Sequence, residues 1–218
     1  MARYMVEQSF EAAPGGSVRS GRAAAVAEMF GLGMEAGRRV RVLEPCEIRI
    51  EPGQVAYVTG ASGAGKSVVL RLLREQWPGA VELGGQSLPE DEAVVDCFGE
   101  DLEQALYWLS LAGLSEAFAL LRRCRELSDG QRYRLRLALV LARRPKAVFI
   151  DEFCAALDRV TAGVVAHNVR KAADRFGTTF VVATSHDDLL EDLCPDVVVV
   201  KHLGSGCDVY YPARAGRD

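Results

Sequence analysis

The sequence predicts an α/β fold, with a mostly parallel sheet flanked by helices and a small helical lobe at about 100–130. Three observations carry this. Short apolar runs such as Val55–Thr59, Ala147–Ile150 and Thr178–Thr184 alternate with helical stretches of about 10–16 residues, the pattern of βαβ units. Those runs are continuously apolar, as strands buried on both faces are. One of them leads directly into a glycine-rich loop that opens a helix.

The chain has 218 residues, enough to bury a core without covalent staples. Hydrophobic residues make up 49% and charged residues 26%, which excludes a disordered or collagen-like chain. A formal net charge of −4, from 26 basic and 30 acidic residues, argues against a protein that coats nucleic acid. A membrane span needs roughly 20 apolar residues. Gln104–Ser115 is cut short by Glu116, and Val197–Val200 is far shorter. Met1–Gly16 lacks an apolar stretch and carries Glu7 and Glu11, so no leader is expected and the cytosol is the expected location. The six cysteines form no Cys-x-x-Cys pair; they read as small buried hydrophobes rather than zinc ligands.

Taken in order, residues 1–22 are rich in Gly, Ala, Ser and Arg and read as a loose N-terminal arm before a domain over 23–218. Ala23–Phe30 reads as a short helix or a strand. Arg39–Leu43 and Glu47–Ile50 alternate polar and apolar, as half-buried strands do. Glu51-Pro52-Gly53 is a turn. Val55–Thr59 is a strand and Lys66–Gln76 a helix, stopped by Trp77-Pro78-Gly79. Ala93–Phe98 reads as a strand, Leu102–Arg123 as helical, and Ser128–Arg143 as a second helix. Ala147–Ile150 is a strand, Thr161–Phe176 a long amphipathic helix, Thr178–Thr184 a strand, Asp187–Leu193 a short helix and Val197–Lys201 a last strand.

Gly60-Ala61-Ser62-Gly63-Ala64-Gly65-Lys66-Ser67 matches the P-loop pattern G-x-x-x-x-G-K-[ST], with a strand before it and a helix from Lys66 through Val68 after it. Glycines let the backbone wrap so that several N–H groups face a phosphate. The helix presents its positive end to the same anion. Lys66 adds a point charge for the β- and γ-phosphates, and the Ser67 hydroxyl suits Mg²⁺. A glycine-rich turn alone would say little; the full pattern in this setting predicts a nucleotide's phosphates and Mg²⁺ as ligands.

About 85 residues further on, Asp151-Glu152 ends an apolar strand. In a P-loop protein the first carboxylate holds Mg²⁺ and the second takes a proton from the attacking water. Asp151 is therefore expected as a metal residue and Glu152 as the base.

Leu127-Ser128-Asp129-Gly130-Gln131 opens a helix rich in Arg and Leu. By itself it is a capped helix start. Together with Ala156-Leu157-Asp158 and with Val181-Val182-Ala183-Thr184-Ser185-His186-Asp187, it resembles the ABC-type ATPases over roughly residues 25–202. Their signature pattern is Leu-Ser-Gly-Gly-Gln; here Asp129 replaces the first Gly. The resemblance implies an ATP hydrolase with ATP and Mg²⁺ as ligands, one that works as a head-to-tail dimer, a homodimer or one with a paralogous subunit. It implies that Ser128, Gly130 and Gln131 meet ATP across the dimer, that Asp158 lies at the interface, and that His186 contacts the γ-phosphate. It also implies that Phe30 stacks on adenine.

The chain departs from the family at three places. No glutamine directly follows Ala93–Phe98, read as the strand that precedes the family's coupling glutamine. The segment from Phe98 to Leu127 is short for a permease-gripping lobe, and Phe153-Cys154 stands where transporter subunits carry Pro-Thr. Val94–Gln131 also resembles soluble ABC-type ATPases paired with an acetyltransferase-like domain. The expected output is therefore a soluble ATP-driven switch acting on a partner protein. The alternatives are the ATP-binding subunit of a membrane transporter, peripheral to the membrane beside a permease, and a nucleic-acid-linked ATPase. The last rests on the cluster Arg122, Arg123, Arg125, Arg132, Arg134, Arg136, Arg143 and Arg144; a solvated helix face explains it more simply.

Overall fold

A computed structural model describes residues 2–12, 21–29, 38–185 and 188–213. The strands are β1 (Ala2–Ala12), β2 (Arg38–Ile50), β3 (Val55–Thr59), β4 (Val81–Glu82), β5 (Ala147–Ile150), β6 (Thr179–Ala183), β7 (Val197–Lys201) and β8 (Cys207–Tyr210). The helices are α1 (Gly21–Met29), α2 (Lys66–Glu75), α3 (Leu102–Leu111), α4 (Ala117–Leu120), α5 (Asp129–Ala142), α6 (Arg159–Phe176) and α7 (Leu190–Leu193).

Six strands form one sheet in the order β4-β5-β6-β3-β7-β8. All neighbours are parallel except β7 and β8. β3 lies between β6 and β7, so its C-terminal end opens near the middle of the sheet. Every residue of β3, β5 and β6 is buried. Alternation explains why these strands read as unbroken apolar runs. Val55, Tyr57, Val148, Ile150, Phe180 and Val182 pack into one core with α3, α5 and α6. Ala56, Val58, Ala147, Phe149, Val181 and Ala183 pack into a second core on the other face, under α2 and β2.

The base of β3 is pinned by a buried ion pair. Arg170 on α6 donates to Asp196 at 2.8 Å, and the same Asp196 oxygen accepts the Val55 N–H at 2.8 Å. A charged pair is tolerated there because each partner has further hydrogen bonds; Arg170 also reaches Asp174 at 2.8 Å.

Four readings change. Residues 2–12, expected within a loose arm, form β1, antiparallel to β2 from Ala2↔Ile50 to Ala12↔Arg38. Tyr4 stacks on Trp77 with ring centroids 4.9 Å apart, and Val6 is buried. The two expected strands 39–43 and 47–50 are one strand, β2. Ala93–Phe98 is not a strand: Val94–Phe98 is a 3-10 turn, since only Val94 is buried and Asp96 faces solvent. The stretch 102–123 is not one helix. Gly113, at φ 77°, follows the end of α3, and α4 is a separate short turn.

All six cysteines are free. Five are buried or half-buried as expected; Cys194 is exposed. The sulfurs of Cys46 and Cys207 lie 3.4 Å apart and those of Cys97 and Cys124 3.5 Å apart. Burial pushes Cys207 and Cys154 up to about 12, so both remain thiols at neutral pH.

Candidate functional site

The loop from Gly60 to Gly65 leaves β3 and enters α2. Three of its residues have backbone angles that favour glycine: Gly60 at φ 141°, Gly63 at 76° and Gly65 at 98°. Gly60 is held by packing as well, because a Cβ there would sit 2.1 Å from the Lys201 carbonyl oxygen. The loop is closed by a turn in which the Ala64 N–H donates to the Ala61 carbonyl at 3.1 Å. Ala64 is buried, while Ala61, Ser62 and Gly63 are exposed.

Gly65 is the N-cap of α2 and has no side chain with which to cap it. The Lys66 and Ser67 N–H groups open the helix and have no acceptor inside it. An anion is the natural partner for such a start. The Lys66 ammonium donates to the carbonyls of Gly60 at 2.8 Å and Ala61 at 3.0 Å, so it arches over the loop. Val68 continues the first turn, its N–H donating to Gly65 at 3.1 Å.

Asp151 and Glu152 follow β5, with β6 between β5 and β3. Asp151 is half-buried and accepts the Glu152 N–H at 2.9 Å. Glu152 is exposed and holds φ 49°, a left-handed conformation unusual for a non-glycine residue. Its neighbours fix it there: the Phe153 N–H donates to Ala183 on β6 at 2.8 Å, and the Cys154 N–H donates to the Tyr133 hydroxyl at 3.2 Å. Strained backbone held by its surroundings recurs at functional sites.

Tyr133 belongs to α5, so the same bond ties the acid pair to the segment expected as the signature. Ser128 caps α5 in a reciprocal box: the Gln131 N–H donates to Ser128 Oγ at 3.3 Å, and the Ser128 N–H donates to Gln131 Oε1 at 3.1 Å. Gly130 packs against the next loop, where a Cβ would lie 3.0 Å from the Ala156 carbonyl oxygen. Asp158 caps α6 by accepting the Thr161 N–H at 3.0 Å and its hydroxyl at 2.6 Å. Those two bonds, the hydroxyl's first, hold its carboxyl below the usual carboxylate range.

Among the described residues, no hydrogen bond or ion pair joins the loop 60–67 to the segment 127–131. The open helix start at Lys66 and the capped helix start at Ser128 are therefore built on different parts of the fold. Phe30 and His186 lie outside the described residues.

Sequence reasoning missed Gln86. It follows β4, the strand that lies beside β5, and its side chain donates to the Glu82 carbonyl at 3.1 Å and accepts from Arg143 at 2.9 Å. A two-residue strand, Val81–Glu82, is too short to register as a periodic run, so the neighbouring glutamine went unremarked. The arginine cluster also resolves. Arg125 pairs with Asp91, Arg132 with Glu90 and Arg134 with Glu116. Arg136 and Arg143 bind Gln86, and Arg144 lies over the rings of Trp108 and Phe176. Most of these charges are used inside the molecule, which removes the main argument for a nucleic-acid surface.

No family model matches the chain. Curated relatives and solved structures do. The Methionine import ATP-binding protein MetN of Xanthomonas euvesicatoria is 30% identical over 204 residues, covering 75% of this chain and 60% of that protein. MetN of Nocardia farcinica is 30% identical over 219 residues, covering 82% of this chain and 66% of that protein. The chain carries an ABC-type ATP-binding cassette. The family expected from the sequence is thus borne out. The chain spans about 60% of the length of the first curated relatives it matches. The cassette fold is also that of a dimeric post-hydrolysis ATP-binding cassette bound to ADP and phosphate. That match has a TM-score of 0.62 at 19% identity and covers 80% of this chain and 92% of the other. A nucleotide-free cassette from an ABC transporter gives 0.60 at 18% identity, covering 80% and 87%. Among the described residues of the cassette, no helix is long and apolar enough to cross a membrane.

Proposed function

We propose that this cassette binds MgATP and hydrolyses it in a head-to-tail dimer, as the cytoplasmic ATP-binding subunit of a membrane transporter. The observation that carries the nucleotide reading is the glycine N-cap of α2: a helix start without a side-chain cap, beneath a lysine that arches over the loop. The loop amides and Lys66 bind the phosphates. Ser67 and Asp151 supply hard oxygen donors, which fit Mg²⁺, and no larger protein ligand set is required because phosphates and waters complete its shell. When bound, Mg²⁺ would supply positive charge to offset that of the phosphates. Glu152 takes the proton from the attacking water, and His186 orients the γ-phosphate. Phe30 stacks on adenine.

Ser128, Gly130 and Gln131 of one copy would complete the site of the other, and Asp158 would lie between the copies. The lack of any bond between the loop 60–67 and the segment 127–131 within one chain, among the described residues, is consistent with this arrangement. Gln86 is the candidate for the family's coupling glutamine, since it follows the strand beside β5. The names of the curated relatives favour a transporter subunit with a permease partner over a soluble switch, and methionine is the first substrate to test.

The test is Glu152→Gln. It should bind MgATP as the wild type does, lose at least 100-fold in turnover, the scale of a general base, and accumulate as dimer on size-exclusion chromatography. Unchanged turnover removes Glu152 from the role of base. Used as bait with MgATP, the same variant should retain a multi-spanning membrane protein. Retention of a soluble enzyme instead would return the switch reading.

A further inference from the structure

Lys201 ends β7 with 1% of its surface exposed, among the largest fully buried side chains in the molecule. An ammonium group is costly to bury unless an opposite charge accompanies it. Its Nζ donates to the carbonyls of His202 at 2.8 Å and Gly204 at 2.6 Å, which accounts for two of its three N–H donors. Among the described residues no carboxylate stands within ion-pair distance of it. Asp208, on the paired strand β8, is taken by His202 at 2.8 Å. The charge is therefore held by carbonyl dipoles alone.

Its position gives the reason. The Lys201 carbonyl is the atom that a Cβ on Gly60 would strike, and the Lys201 Cε lies 3.8 Å from the place of a Cβ on Gly65. These are the first and last glycines of the phosphate loop. The side chain thus runs along the loop, beside the N-terminal end of α2, itself a centre of partial positive charge. Two positive ends lie together, and the described part of the folded chain offers them no anion.

We propose that Lys201 is a second cationic determinant of nucleotide affinity, acting on the phosphates through space from within the fold while Lys66 reaches them from the surface. This rests on the nucleotide reading above. Lys201 is a positioning residue, not a catalytic one. Its charge opposes folding when the site is empty and is offset when a polyphosphate binds. The motif does not contain it, because it comes from a strand about 135 residues further along the chain.

The test compares Lys201→Met and Lys201→Gln with the wild type by calorimetric titration of MgATP and MgADP and by melting without nucleotide. Methionine keeps the buried stem. Glutamine keeps N–H donors for the two carbonyls, which lie in an exposed loop. Both variants should bind MgATP about tenfold more weakly, the scale of one charge interaction, and MgADP should lose less. The nucleotide-free melting temperature should hold or rise. Wild-type MgATP affinity in either variant overturns the proposal. So does a fall in melting temperature with affinity unchanged, which would make Lys201 a clamp on the loop between β7 and β8. A wild-type protein that binds no MgATP would overturn the cassette reading itself, a separate outcome seen in the first titration.

Discussion

At Gly60 the chain needs both a backbone angle and an absence. The residue holds φ 141°, and the Lys201 carbonyl occupies the space where a side chain would begin. Gly60→Ala should therefore destabilise the protein by about 2–3 kcal/mol, through strain and displacement of β7 from β3. Urea unfolding would read this as a fall in midpoint, and nucleotide binding should fall with it. Glu152 is the opposite case: a non-glycine residue at φ 49°, exposed, with the two residues after it bonded to β6 and α5.

At the scale of elements, the site is a set of helix starts attached to strand ends. α2 begins with a cap that leaves N–H groups open, whereas α5 and α6 begin with Ser128 and Asp158 already bonded. The difference is chemical: a side-chain oxygen satisfies the orphan donors, and glycine does not. Asp158→Ala should unfold at a lower temperature than the wild type at pH 7. The folded carboxyl titrates below its ordinary value, so its contribution is full above the unfolded pKa of about 4. It is lost as pH falls through the lower folded value. The gap in melting temperature between the two proteins should therefore close as the pH is lowered below about 4; a gap independent of pH would mean that the cap charge is irrelevant.

For the whole molecule, the decisive feature is that the phosphate loop and the Ser128 helix start do not bond to each other within one chain. If each needs the other from a second copy, two inactive variants can repair one another. Lys66→Ala lacks the lysine of the phosphate loop, and Gly130→Asp blocks the segment against Ala156. Each alone should lack turnover. Mixed in equal amounts, they should recover about a quarter of wild-type activity, since half the pairs are mixed and each holds one intact site. A mixture as inactive as its parts would argue that the two sites never combine.

The sequence by itself determined what local chemistry can specify. The P-loop pattern, the acid pair at a strand end, the serine cap of α5 and the buried runs of β3, β5 and β6 are all set within a few residues. It also carried the family, through the order of its motifs. The tertiary structure alone decided what depends on distant partners. β1 exists because β2 and Trp77 receive it; its own residues show no period strong enough to announce a strand. Ala93–Phe98 became a turn in which only Val94 is buried and Asp96 faces solvent. β4, two residues long, is a strand only beside β5, and the loop after it brings Gln86 against Arg136 and Arg143 of the α5 region. Lys201 reads as the polar end of an apolar strand until β7 is laid against β3. Only then does its charge come to rest under the phosphate loop, because proximity across a parallel sheet is set by pairing register and not by separation along the chain.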